Sequence, residues 1–227
     1  VWVWTSQPPG GHVAVGFEPP VVHWFSKQDR KRQICRYAVE HCGATKRQAE
    51  AAYRQAETAI LSFRHQLVEE GKRVIADTGK AGGFAVVLAG RPYQPDPPLH
   101  HDLSGMFTRR GIPVLTVDSL PGLEEVDLSR SSVEIVNNYH ARMLASAIMA
   151  ARTKELEYVQ IVSFGCGHDA YLSDEIIRLM REISGKTPLV LKLDESDTQG
   201  PLRIRVRSFL EPLTIRRELG EETRHEL

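Results

Sequence analysis

The sequence is poor in cysteine, with three in 227 residues. So small and odd a number excludes a disulfide scaffold and fits the reducing conditions of the cytoplasm. Neither sign of charge dominates: 29 Lys and Arg stand against 29 Asp and Glu. A nucleic-acid binder usually carries a basic domain, and a lipid-surface anchor a polybasic cluster, so a neutral chain speaks against both. No apolar run approaches the ~18 residues of a membrane-spanning helix. Motifs of several large enzyme classes are missing too. The absence of GxxxxGK(S/T), GxGxxG, HExxH and GxSxG lowers the nucleotide-hydrolase, zinc-protease and esterase readings. The chain opens Val1-Trp2-Val3-Trp4, with no Met and no signal-peptide pattern. The expectation is a piece of a longer protein, whose other domains are its partners.

What remains is an ordinary globular composition, 41% hydrophobic and 26% charged. Residues 1–43 read as an irregular segment. Pro8, Pro9, Gly10, Gly11, Pro19 and Pro20 break its start, and the basic run KQDRKRQICR (27–36) reads as a solvated face. A long connecting helix is expected within 44–80. Thr45 can cap it, and Ala49, Tyr53, Ala56, Ile60, Phe63, Leu67 and Val74 fall on one stripe. Its length, on the order of 50 Å, suits a brace between lobes, a face for a partner, or equally a helix lying across one sheet.

From residue 84 to 213 short apolar runs alternate with helical patterns. Strands are expected at Phe84–Ala89, Ile112–Val117, Tyr158–Val162 and Leu189–Leu193, and helices at 102–110, 138–156, 170–183 and 202–210. Unbroken apolar strands are buried on both faces, and β-α-β alternation implies parallel pairing. The fold class is therefore α/β: an open, mostly parallel sheet with helices on both faces, preceded by the long helix. Residues 214–227 read as a tail.

Open parallel sheets bind ligands outside the carboxyl ends of their strands. Four loops are expected to share that edge. The first carries Gly90, Arg91, Pro92 and Tyr93, which can hold an anion such as a phosphate or an acyl-CoA group; a tie between Arg91 and Asp96 is the plainer role. The second carries Asp118. The third, Ser163 to Asp169, sets Cys166 between Gly165 and Gly167 at a helix start, where positive potential favours a thiolate. Cys166 is thus a candidate metal or cluster ligand or a nucleophile, weighed against a small residue in a tight turn. The fourth carries Asp194 and Glu195, paired carboxylates that can do acid–base work or pair with Arg203, Arg205 and Arg207. His100, His101 and His168 offer nitrogen ligands for zinc beside Cys166, but adjacent histidine rings tend to diverge. Cys35 and Cys42, seven apart, read as buried structural thiols. Three scattered cysteines cannot complete a cluster that takes four.

The run of motifs GRPYQPDPPLHHD, GIPVLTVDSLP, VNNYHARMLASA, SFGCGHDAYLSDEI and LKLDESDTQGPLRIRVRSFLE, in that order, resembles one family. It is similar to the carboxyl-terminal, dehydratase-like part of the activators of 2-hydroxyacyl-CoA dehydratase, the CoA-substrate-specific enzyme activase-related proteins. The resemblance covers roughly 27–211 and leaves the first 26 residues unplaced. It implies α/β lobes and a protein system that uses ATP and a [4Fe-4S] cluster to drive a low-potential electron to the dehydratase. The family's F-G-C-G pattern falls on Cys166, as a candidate cluster ligand, and its G-R-P-Y pattern on Gly90, Arg91, Pro92 and Tyr93. Where that pattern usually has an apolar residue or proline before the Asp, this chain has His168. The kinase-like phosphate loops are not in this sequence, so ATP enters only through other domains. No catalysis is expected of this piece alone. A non-catalytic scaffold, or an anion or acyl-CoA binding module without a redox role, are the rival readings.

Overall fold

The computed structural model describes residues 20–24, 26–94, 96, 101–135, 137–163, 167–193 and 199–225. The chain forms two compact units, residues 1–61 and 62–227.

The first unit is helical where it is described. Helix α1 (Lys27–His41) occupies part of the segment expected to be irregular. Its start is built by a cap: Ser26 Oγ accepts from the Asp29 N–H at 3.0 Å and bonds its carboxylate at 2.7 Å. That Ser-x-x-Asp spacing satisfies an orphan donor and makes a helix of the basic run. Helix α2 (Lys46–Lys80) is the long helix, within the expected bounds. Thr45 and Gln48 cap it reciprocally: the Thr45 N–H donates to Gln48 Oε1 at 2.9 Å, and the Gln48 N–H to Thr45 Oγ1 at 3.3 Å. The expected continuous stripe is broken in two. Ala49 and Tyr53 are buried in the first unit, but Ile60 and Phe63 are exposed.

The second unit holds the sheet. Its strands are β1 (Ala85–Ala89), β2 (Val114–Thr116), β3 (Leu156–Ser163) and β4 (Leu189–Leu193). They run parallel in the order β2-β1-β3-β4. Between and after them lie α3 (Leu103–Thr108), α4 (Asn138–Arg152), α5 (Gly167–Ser184) and α6 (Gln199–His225). Every residue of β1 is buried. Its alternation divides the core: Ala85, Val87 and Ala89 pack under α4 and α5, while Val86 and Leu88 pack under α3 and α6. Helices therefore cover both faces, as expected of a parallel sheet with apolar strands. On the α4 face the phenol of Tyr158 is fully buried; it donates to the Met143 carbonyl at 2.8 Å and lies 3.1 Å from Ser146 Oγ. A buried hydroxyl so partnered fixes α4 on β3.

Two boundaries depart from the sequence reading. Helix α4 stops at Arg152 and not at 156, because Thr153 turns to extended backbone and Leu156 already starts β3. Residues 214–225 are not a tail but continue α6. Leu202, Val206, Leu210 and Leu213 form a buried stripe at spacings of four and three, which settles the alternating arginines on a helix and carries it past Pro212.

Gly71 shows how closely α2 is seated in this unit. A Cβ there would run into the backbone carbonyl of Ser119, in the short turn after β2. Alanine ordinarily gains about 1 kcal/mol over glycine inside a helix; here overpacking reverses the sign. Gly71→Ala is expected to lower stability by about 1–3 kcal/mol, read from the urea unfolding midpoint. A stabilised variant would show that α2 does not press on Ser119.

Candidate functional site

Strand order places the topological switch between β1 and β3. The connection after β1 runs outward to β2, and the one after β2 crosses back to β3 on the other side. The loops leaving β1 and β3 therefore part company at one point, where a crevice forms in open sheets. Arg91 follows β1, and Asp169 sits in the first turn of α5, just beyond β3. The two meet across 78 positions: Arg91 Nη2 donates to Asp169 Oδ1 at 3.0 Å, and Nε to the same oxygen at 3.3 Å. The Arg91 side chain is largely covered and that of Asp169 is 6% exposed. Low exposure makes this pair stronger than a surface ion pair. The carboxylate also lies where the α5 amino terminus favours negative charge.

The Arg91 backbone is held by its own turn. Its N–H donates to Gln94 Oε1 at 2.6 Å, and its carbonyl accepts from the Gln94 N–H at 2.8 Å. Gln94 is buried, while Pro92 and Tyr93 between them face solvent. Gly90 leads into this turn from β1.

His140, in the first turn of α4, lies beneath the pair. Its Nε2 is 3.7 Å from Asp169 Oδ1, and the side chain is 4% exposed. The ring meets Tyr139 edge-on and stands 6.2 Å from the ring of His168. Burial holds the His140 pKa below its ordinary value of 6.5; Asp169 pulls the other way, and Arg91 and His168 add to the lowering. A neutral imidazole is the result near neutral pH. His140 Nε2, Asp169 Oδ2 and both amide atoms of Gln160 are buried without a hydrogen-bond partner among the described residues. Gln160 pairs in register with Ala89, at the end of β1, on the face that α4 and α5 cover.

The candidate residues read from the sequence are not all brought together. Arg91 and Asp169 are, and the carboxylate on Arg91 is Asp169 where Asp96 was the expected tie. Asp118 stands apart in the turn Val117–Ser119, exposed and paired with Arg142 at 2.6 Å. Arg142 also reaches Glu124. Cys166, Asp194, Glu195 and His100 lie outside the described residues. His101 occupies a left-handed turn and His168 is exposed at the start of α5. Cys35 is half-buried on α1 and Cys42, its exposed C-cap, is no buried thiol. Among the described residues no group of three or more His, Cys, Asp or Glu side chains could hold a metal ion. No described helix is long and apolar enough to cross a membrane. His140 and Gln94 were not singled out from the sequence. The Asn137 cap, whose Oδ1 accepts from the His140 N–H at 3.3 Å, marks the helix start that aims His140 at this edge.

Fold and site together define an α/β module whose switch-point loops are tied by a mostly buried ion pair. Residues 12–120 match the family model described as CoA enzyme activase uncharacterised domain (DUF2229). The match covers just under half of the chain and supports a CoA enzyme activase-related family of activator-like kind. It begins inside the first 26 residues that the motifs left unplaced, and ends before the loop of Cys166. No curated protein and no solved structure matches the chain.

His140 gives the site a readable pH dependence. The unfolded chain takes up a proton on this histidine below about 6.5, whereas the folded protein resists it to lower pH. The unfolded state then binds more protons, so this contribution to stability falls as pH drops through that window. Between about pH 7.5 and about pH 5.5, His140→Gln is expected to lose less of its unfolding midpoint than wild type. Equal losses in the two proteins would remove His140 from this role. Asp169→Asn is expected to destabilise by about 1.5–3 kcal/mol, since it leaves the Arg91 guanidinium covered and without its charged partner.

Proposed function

We propose that this chain is the sheet module of a CoA enzyme activase-related protein that serves a 2-hydroxyacyl-CoA dehydratase system, and that its working edge is the switch point of the sheet. The observation that carries the reading is the Arg91–Asp169 bridge. It ties the Gly90–Arg91–Pro92–Tyr93 turn to the first turn of α5, the helix that Cys166 immediately precedes in the chain. A cysteine next to a helix start, where positive potential favours the thiolate, is suited to serve as a ligand.

In this reading Cys166 is a ligand of a [4Fe-4S] cluster in the parent protein. With three scattered cysteines the chain cannot complete a four-cysteine cluster, so in this reading further ligands come from other segments, another subunit or non-cysteine groups. When bound, the cluster supplies a low-potential electron; ATP acts through domains other than this one. The chain's own part is positional. Arg91 and Asp169 hold the two loops together, and neutral His140 packs beneath them without adding charge. The partner is the dehydratase or its acyl-CoA. An Arg91 that itself takes a ligand phosphate is less well supported, because its guanidinium already rests on Asp169.

The parent protein, purified without oxygen, is expected to contain iron and sulfide and to show the broad visible absorbance of a cluster, both diminished in Cys166→Ser. An iron-free, colourless parent protein, or a cluster untouched by that substitution, would overturn the assignment.

A further inference from the structure

The end of the sheet opposite the switch point carries a second site. A cavity of about 750 Å³ lies there against the starts of β3 and β4, the end of α5 and the middle of α6. That volume lies within the ~300–1,000 Å³ of small-molecule sites. Its apolar lining is Pro188, Leu189, Phe209, Pro212 and Leu213, with Ile204 68% exposed at the rim.

Five cations line this cavity and one acid, Glu157. Two of the cations are committed. Arg217 pairs with Glu157 at 3.2 Å, donates to the carbonyls of Gly83 and Lys154, and stacks on Phe84. Lys186 Nζ donates to the carbonyls of Ala150, Thr153 and Leu156 at 2.7–2.9 Å, where it offsets the negative end of α4. Lys154, Arg205 and Arg216 are exposed and form no ion pair with any described acid. Arg205 and Arg216 each give one N–H to a backbone carbonyl, of Val190 and Pro212, which steadies the side chains and leaves their charge uncancelled. Lys154 and Arg216 lie at one end of the apolar floor, and Arg205 about 16 Å further along the helix, at the other. That suits a ligand with phosphate at one end and an apolar ring along the floor.

We propose that this groove binds an organic phosphate of nucleotide size, with its phosphates on Lys154 and Arg216, its ring against Leu213 and Phe209, and Arg205 beside Ile204 at the far end. It is separate from the switch-point edge and does not depend on the function proposed there.

Titration calorimetry of the whole chain with ADP, with inorganic pyrophosphate and with a polyglutamate peptide tests this. ADP is expected to bind saturably and more weakly as salt rises. The Arg205→Glu/Arg216→Glu variant is expected to weaken it about tenfold or more. Should that double variant not fold by circular dichroism, Lys154→Glu, on a different segment, carries the same expectation. No saturable ADP binding, pyrophosphate binding as tight as ADP, polyglutamate binding in place of ADP, or indifference to the charge reversals would each overturn the proposal.

Discussion

A parallel strand pair covered on both faces leaves its polar side chains little room except at its ends. β1 and β3 are such a pair, and the rest of the second unit follows from burying them. Their apolar side chains alternate between two clusters, one under α4 and α5 and the other under α3 and α6. Hydrogen bonds between the strands satisfy the backbone, so stability comes from apolar area removed from water on two sides. Polar chemistry is pushed to the edges. At the carboxyl edge it is gathered into one place by the strand order, since the loops leaving β1 and β3 diverge there.

The Arg91–Asp169 pair is the consequence. A guanidinium and a carboxylate taken out of water cost several kcal/mol unless they meet. Each therefore fixes the other, and with it the loop on which it sits. The same logic explains His140. A protonated imidazole this close to Arg91 would face a second positive charge with little solvent between them. Burial and Arg91 together keep it neutral against the pull of Asp169. A pair held this way fixes both loops before any partner arrives.

The fold was legible where pattern and burial agree. FAVVLA read as a strand because a strand buried on both faces leaves no polar alternation to confuse with a helix. Helix α1 was hidden because its cap, Ser26 and Asp29, is a pairwise signal, while the basic run around it has no apolar periodicity; no residue of α1 is buried. Helix α6 was cut short at 210 because local rules end helices near proline, whereas Leu213 packing carries it through Pro212. Arg91 and Asp169 could be placed at one edge by topology alone, but that they bond each other, 78 positions apart, could not. His140 sat inside the motif VNNYHARMLASA without being singled out, and Gln160 carried no motif; only the register of β3 and the seating of α4 bring them to this end.

The two ends of the sheet differ in how charge is used. At the carboxyl edge Arg91 is matched by Asp169, and Arg142 by Asp118 and Glu124. Charge there is spent on holding the loops. At the amino edge Lys186 and Arg217 do the same structural work on the ends of α4 and β3, yet Lys154, Arg205 and Arg216 are left over. Folding alone explains the first group at both ends. It does not explain the surplus, because an unpaired cation beside an apolar groove adds nothing to the core, and Coulomb repulsion among the three opposes their gathering. A chain with zero net charge that still concentrates cations at one groove has a local imbalance which an anionic ligand would relieve.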